Sequence, residues 1–267
     1  MVHAFVDAHR GTDMSISEAV RLASASPSHP LAWPVIGGKG AMSGNSVGAD
    51  EDTRALQRIG VKARYSRNKA IFGQGDPAEY AYKVVSGVVR LCKHMADGRR
   101  HIAQFSFPGD FFSIMELESH GFTAEAVTDV VLMCYPQSAI ARLCDERPTV
   151  RRRFLTLLSQ RLCDMEDHLT VLGRQTAKER VVSFLLSMGE RLGLDEDDLV
   201  DVPMNRQDIA DYLGLTIETV CRVLSELKRA GLIESPNLRQ FVLSDAATLQ
   251  ALAVGDSEFP PWKRSLA

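Results

Sequence analysis

The sequence predicts an α+β chain in three parts: an N-terminal antiparallel β-roll, a long helix and a C-terminal winged helix-turn-helix. Three observations carry this. Short apolar runs alternate with glycine turns between Tyr65 and Tyr135, leucines recur at three- and four-residue steps from Leu155 to Leu172, and two short helical patterns meet at Gly214 ahead of a hairpin pattern. The 267 residues are 45% hydrophobic and 24% charged, an ordinary globular composition with room for two domains. There is no run of about 18 apolar residues, and His3, Asp7 and Arg10 interrupt the N-terminal apolar residues, so neither a membrane span nor a secretory leader is expected. Five scattered cysteines, an odd number, do not form a disulfide framework and fit a reducing cytoplasm.

Residues 1–50 are rich in Ser, Gly, Ala and Pro and lack a sustained period, which predicts a disordered extension. Residues 51–147 hold the roll. Gly75, Gly87, Gly98 and Gly109 fall at steps of eleven or twelve residues, and between or after them lie candidate strands 81–85, 88–92, 101–105, 124–127 and 130–134. Asp97-Gly98 is a strong hairpin turn.

From Pro148 the period turns helical, and Gly173 is the expected stop. Leu155, Leu158, Leu162, Met165, Leu169 and Leu172 form a narrow heptad stripe flanked by charges, the pattern of a helix that pairs with a second copy. A single helix laid on the roll is the competing reading, although a core helix shows a wider stripe. Residues 174–254 are the helix-turn-helix domain, opened by a Thr176/Glu179 capping box. An acidic surface loop, 195–198, divides it, and 255–267 is a peripheral tail.

Within that domain, 206–213 and 217–230 read as helices. Gly214 supplies the bend at positive φ, Thr216 the N-cap and Gly231 the stop. Val220, Leu224 and Leu227 take the core face of the second helix, and Glu218, Cys221, Arg222 and Ser225 fall opposite. Apolar pairs around Ser235-Pro236-Asn237 read as a wing. A second helix presented in this way enters the DNA major groove. Charge neither announces nor excludes DNA: the chain carries −3 overall, and Arg206, Arg222, Lys228, Arg229 and Arg239 balance Asp208, Asp211, Glu218, Glu226 and Glu234.

This order of parts resembles the CRP/FNR family of bacterial transcription regulators over about residues 55–250. The residues that carry the resemblance are Pro108-Gly109-Asp110-Phe111-Phe112, Thr176-Ala177-Lys178-Glu179-Arg180-Val181, and the run from Asp208 to Arg222. It implies a jelly-roll β-domain of the cyclic-nucleotide-binding type, a homodimer, double-stranded DNA and RNA polymerase as partners, activation as the usual mode, and no enzymatic activity.

The departures place the chain within the family. Cyclic-AMP-binding members hold the cyclic phosphate with an Arg-Ser pair, and Phe122-Thr123 stands there, so a bound phosphate lacks its cationic partner. An FNR-type iron–sulfur cluster needs clustered N-terminal cysteines, and the first cysteine is Cys92. Carbon-monoxide-sensing haem members place Cys-x-His after the Gly-Asp turn, where this chain has Ser113-Ile114-Met115; Cys92-Lys93-His94 copies the spacing on a strand instead. No cofactor is therefore expected, with a haem-dependent or other ligand-responsive gas or redox sensor kept as the alternative. What is left resembles the FixK branch, which activates genes for low-oxygen respiration, denitrification or nitrogen fixation.

By this resemblance Glu218 and Arg222 read bases, which suits their chemistry: a carboxylate accepts from cytosine N4 and Arg bonds guanine O6 and N7. Ile217 marks FNR-like rather than CRP-like reading and implies a TTGAT-like palindrome. Arg206, Gln207, Thr216 and Thr219 match positions that hold phosphates. Cys221, beside Arg222, has two readings. It is a redox site whose oxidation adds bulk and negative charge against DNA, or a small residue against a thymine methyl; Cys92, Cys134, Cys144 and Cys163 are read as packing residues. A cupin-like metalloenzyme is the distant rival, and it needs a His cluster that His94, His101, His120 and His168 do not form by spacing.

Overall fold

In the roll, strands of alternating exposure turn one row of side chains inward, and the observed pairing follows that alternation. The computed structural model describes residues 47–114, 118–195 and 198–255. The roll contains β1 (Val61–Tyr65), β2 (Ala70–Phe72), β3 (Tyr80–Ser86), β4 (Val89–His94), β5 (Arg100–Ser106), β6 (Phe111–Phe112), β7 (Thr123–Ala126) and β8 (Val130–Pro136). They form two four-stranded sheets, ordered β1-β8-β3-β6 and β2-β7-β4-β5, with every pairing antiparallel. The β4–β5 hairpin turns at Asp97-Gly98 as its sequence predicts, with Gly98 at φ 83°. Gly87 is held more tightly: at φ 83° a Cβ there would stand 2.2 Å from the Asp129 carbonyl oxygen, so no other residue fits. Strands β1, β2 and β6 escape the sequence reading because they are short or interleaved with charge, as in Val61-Lys62-Ala63-Arg64-Tyr65.

Helix α1 (Val47–Ile59) precedes β1 and begins inside the stretch predicted to be an extension. The rest of that stretch lies outside the described residues, as do Glu196 and Asp197 of the acidic loop and the tail from residue 256. After β8 come α2 (Gln137–Glu146) and α3 (Pro148–Arg174). Pro148 occupies the first turn of α3, where its missing N–H costs nothing. Gly173 does not stop the helix, which runs one residue further to Arg174. One face of α3 buries Val150, Phe154, His168 and Val171. On the other, Leu155, Leu162, Met165 and Leu169 are 57–66% exposed, while Leu158 and Leu172 are half-buried.

The C-terminal domain contains α4 (Ala177–Leu192), β9 (Leu199–Asp201), α5 (Arg206–Leu213), α6 (Ile217–Arg229), β10 (Ile233–Glu234), β11 (Gln240–Leu243) and α7 (Ala246–Ala253). Thr176 caps α4 through the predicted box: its Oγ1 accepts from Glu179 N at 3.4 Å, and Glu179 Oε2 accepts from Thr176 N at 2.8 Å. The wing strands pair with β9 in the order β10-β11-β9.

Three apolar cores result among the described residues. One fills the roll around Phe72, Tyr82, Phe112 and Leu132, and a second packs Ala81 and Tyr135 of the roll on Ile140, Val150 and Phe154 of α2 and α3. The third crosses from one domain to the other, joining Val88, Cys92, Ile102, Phe105 and Phe107 of the roll to Phe184, Tyr212, Leu213 and Leu227. Within it the Phe105 and Tyr212 rings meet edge-on at 5.1 Å, and His168 stacks on Tyr212 at 4.6 Å. Arg191 of α4 lies over Phe107 at 4.7 Å and pairs with Asp110 of the Pro-Gly-Asp turn, both side chains being about 5% exposed.

Candidate nucleic-acid interface

The two helices of the motif are set by their ends. Asn205 caps α5, its Oδ1 accepting from Asp208 N at 2.8 Å. Gly214 ends the helix in the left-handed region at φ 63°, a conformation that strains any residue with a Cβ. The chain then reverses into Thr216, whose Oγ1 accepts from Thr219 N at 3.2 Å and opens α6. Helix α6 is strongly two-faced. Val220, Val223, Leu224 and Leu227 are buried; Glu218, Cys221, Arg222, Ser225, Lys228 and Arg229 are exposed. The spacing of these two sets is the 3.6-residue period, so burying one presents the other.

Arg180, quoted in the sequence reading without a role, fastens this motif to α3. Its Nε donates to Gln175 O at 3.0 Å, Nη1 to Leu213 O at 3.0 Å and Nη2 to Leu172 O at 2.7 Å. One guanidinium thus satisfies carbonyls at the C-terminal ends of two helices that have no intrahelical partner. An arginine one position after a capping box is the only sequence signal it gives.

The candidate base readers fall together. Glu218 and Arg222 are one turn apart on the exposed face, with Cys221 between them. Hydrogen bonding by its own backbone amide, and then by the Thr216 hydroxyl, holds the Glu218 carboxyl below the usual carboxylate range, so the group offers acceptor oxygens only. Ile217 is half-buried and packs on the domain core.

The phosphate candidates differ among themselves. Gln207 is exposed, its Nε2 donating to Asp211 Oδ1 at 2.6 Å. The hydroxyls of Thr216 and Thr219 lie 3.1 Å apart at the start of α6. Arg206 is less open than its assignment implies. Its guanidinium lies over the Phe241 ring at 4.6 Å, burial pushes it below the usual arginine range, and Nη1 is buried without a hydrogen-bond partner. At the wing tip Asn237 Oδ1 accepts from the amides of Arg239 and Gln240 at 2.9 and 3.0 Å.

The cysteines separate by position. Cys92 is fully buried in the interdomain core, where burial pushes its thiol up to about 11. Cys134 is buried too and Cys144 half-buried, but Cys163 is exposed on α3 and is not the packing residue its reading implied. Cys221 is exposed. Among the described residues no group of three or more His, Cys, Asp or Glu side chains is arranged to hold a metal ion.

Inside the roll, aromatic rings occupy the interior: Phe72 stacks on His120 at 3.5 Å and Tyr82 on Phe112 at 5.1 Å. Thr123 Oγ1 accepts from Gln74 N at 3.1 Å. On the outside of the roll, a cleft of about 560 Å³ opens between α1, the β1–β8–β3 face and α3, lined by Leu56, Phe111, Met133, Phe154, Lys62 and Lys83 among others.

Comparison with known proteins agrees with this geometry. The Crp-like helix-turn-helix domain matches residues 179–252, and the cyclic nucleotide-binding domain matches residues 62–147. Among relatives, the nitrogen fixation regulation protein FixK of Azorhizobium caulinodans is 40% identical over 232 residues, which is 85% of this chain and 94% of that protein. FixK of Bradyrhizobium diazoefficiens is 39% identical over 204 residues, 76% of this chain and 86% of that one. Among solved structures, FixK2 from Bradyrhizobium japonicum superposes with a TM-score of 0.70 at 39% identity, covering 73% of this chain and 97% of that chain.

Proposed function

The chain belongs to the CRP/FNR family of DNA-binding transcription regulators, in its FixK-like branch, and from that premise we propose that its dimer reads TTGAT-like palindromes without a small-molecule effector. The observation that carries the base assignment is the two-faced α6. Glu218 and Arg222 stand exposed on a helix whose other side is fixed by Val220, Val223, Leu224 and Leu227. Arg222 makes a bidentate contact to guanine and Glu218 accepts from cytosine on the paired strand. Ile217 and Cys221 offer apolar and small contacts beside them. Gln207, Thr216, Thr219 and Arg206 hold phosphates and set register without reading sequence. For Arg206, leaving the Phe241 ring for a phosphate gives the orphaned Nη1 a partner.

The exposed stripe of Leu155, Leu162, Met165 and Leu169 supports the dimer seam, which supplies the two-fold axis a palindrome needs. Effector-free action is supported by the aromatic filling of the roll and by an interdomain core that already fixes α5 and α6 on the roll. The dimer contacts RNA polymerase and activates genes for low-oxygen respiration or nitrogen fixation, as the names of its relatives suggest. In vitro transcription from a TTGAT-type promoter with purified protein and no added ligand tests this: transcript is expected, and a strict requirement for a cofactor overturns it.

One observation favours a second reading, a ligand-responsive regulator. The cleft beside α3 has a volume within the ~300–1,000 Å³ range of small-molecule sites. A ligand there would act on the dimer helix directly. Cys221 adds a redox reading, since its thiol is exposed on the reading face next to Arg222. Cys221→Ser separates it: equal peroxide sensitivity of DNA binding in variant and parent removes the redox role.

A further inference from the structure

The joint between the roll and α5 holds a charge cluster that base reading does not use. Arg90 on β4 donates from Nη1 to both carboxylate oxygens of Asp208, at 3.0 and 3.1 Å. Its Nε and Nη2 reach Glu125 Oε2 on β7 at 2.8 and 2.7 Å. Arg100 on β5 donates from Nη2 to Asp208 Oδ1 at 2.6 Å and from Nε to Asp211 Oδ2 at 2.7 Å. The Asp208 and Asp211 side chains are 2% and 11% exposed, and those of Arg90 and Arg100 are 11% and 20% exposed. Two guanidinium forks from the roll therefore hold two carboxylates one turn apart on α5.

We propose that Arg90 and Arg100 are positioning residues for DNA reading: they set the angle at which the roll presents the helix-turn-helix, and so the placement of α6 in the groove. The argument is geometric. Apolar contact between Phe105 and Tyr212 holds the domains together but tolerates sliding, because dispersion has little direction. A planar guanidinium with two acceptors fixes both distance and orientation. Buried ion pairs of this sort add little net stability, since desolvation offsets most of the attraction; what they define is which docking is correct. Because α5 passes into α6 through the Gly214 turn, a change in the tilt of α5 moves Glu218 and Arg222 with it. In a dimer reading two half-sites at once, a small tilt error is made twice, once in each half-site.

This inference rests on the reading of α6 as the base reader, and the experiment separates the two. Full-length dimers of the parent, Arg100→Gln, Arg90→Lys, Arg100→Asp and the swap Arg100→Asp with Asp211→Arg are titrated against a TTGAT-type palindrome and against the same palindrome with one base pair changed. Dimer mass and thermal unfolding are measured in parallel. Arg100→Gln is expected to weaken binding to the palindrome by roughly 10-fold or more, within the ~5–150-fold range of coupling between sites. The preference for the palindrome over its changed version should stay near the parental ratio, because the reading side chains are intact. Arg90→Lys keeps a cation but cannot bridge Asp208 and Glu125, so it serves if Arg100→Gln does not fold, and it is expected to weaken binding in the same sense. The swap should recover part of the lost affinity. Parental or tighter binding by the folded single variants overturns the proposal, as does a swap no better than Arg100→Asp alone. A parent that shows no preference between the two palindromes fails the base-reading assignment instead.

Discussion

Arg180 donates from Nη1 to the carbonyl oxygen of Leu213 at 3.0 Å. The last turn of α5, and with it the Gly214 bend, is thereby tied to the helix that carries the capping box. The same side chain reaches Leu172 at the end of α3 at 2.7 Å, so α3 and the helix-turn-helix share one donor. Arg180→Ala leaves those carbonyls without a partner. We expect a loss of about 2–3 kcal/mol in denaturant unfolding, and no recovery in Arg180→Lys, whose single ammonium cannot span three acceptors. Parental stability in Arg180→Ala would show that water replaces the bonds at no cost.

The exposed stripe on α3 predicts a concentration-dependent assembly. Leu162→Glu places a charge in the seam, where Leu162 is 59% exposed in the single chain. Dimer dissociation should rise by roughly a hundredfold, about 3 kcal/mol, and palindrome binding should fall with it. Sedimentation equilibrium reads this directly; an unchanged dimer would move the interface elsewhere.

Single substitutions on α6 should divide affinity from specificity. Arg222→Ala is expected to cost ~1–3 kcal/mol on the cognate palindrome and to relax the choice of base at one position, and Glu218→Ala to relax a different one. Gln207→Ala should weaken all sequences alike and reduce the salt dependence. A uniform loss in Arg222→Ala would make it a phosphate contact.

His168 gives the stability a pH dependence of known sign. It is buried against Tyr212, and burial, with nearby cationic groups, pushes it down to about 4. In the unfolded chain it takes up a proton near pH 6.5, so between pH 6.5 and about 4 the unfolded state binds more protons. The contribution is intact above that window and lost as pH falls through it. His168→Phe should flatten the acid limb of stability against pH, with a difference on the order of 2 kcal/mol at its lower end. Parallel curves for variant and parent would assign that limb to other groups.

How far the sequence foretold this structure depended on local pattern. The limits of α5, the glycine bend, the Thr216 cap and the core face of α6 were legible because each rests on residues within four positions of one another. The long helix α3 was legible for the same reason. Strands β1 and β6 were not, because β1 carries Lys62 and Arg64 on its open face and β6 is two residues long; both owe their place to partners distant in the chain. Gly173 misled, since a helix ends only where its next turn lacks support, and here Val171 is still buried and Arg174 remains helical. The joint between Arg90, Arg100, Asp208 and Asp211 was invisible for a further reason: it spans 108 residues from Arg100 to Asp208, and charged residues at such a distance carry no periodic signal.

The most direct measurement of the central claim is selection from random DNA by the purified full-length dimer with no ligand added. Enrichment of inverted repeats with TTGAT-like half-sites is the predicted result, with Arg222→Ala relaxing one position of each half-site. Recovery of TGTGA-type half-sites alone, or of no repeat until a cofactor is supplied, would contradict the account.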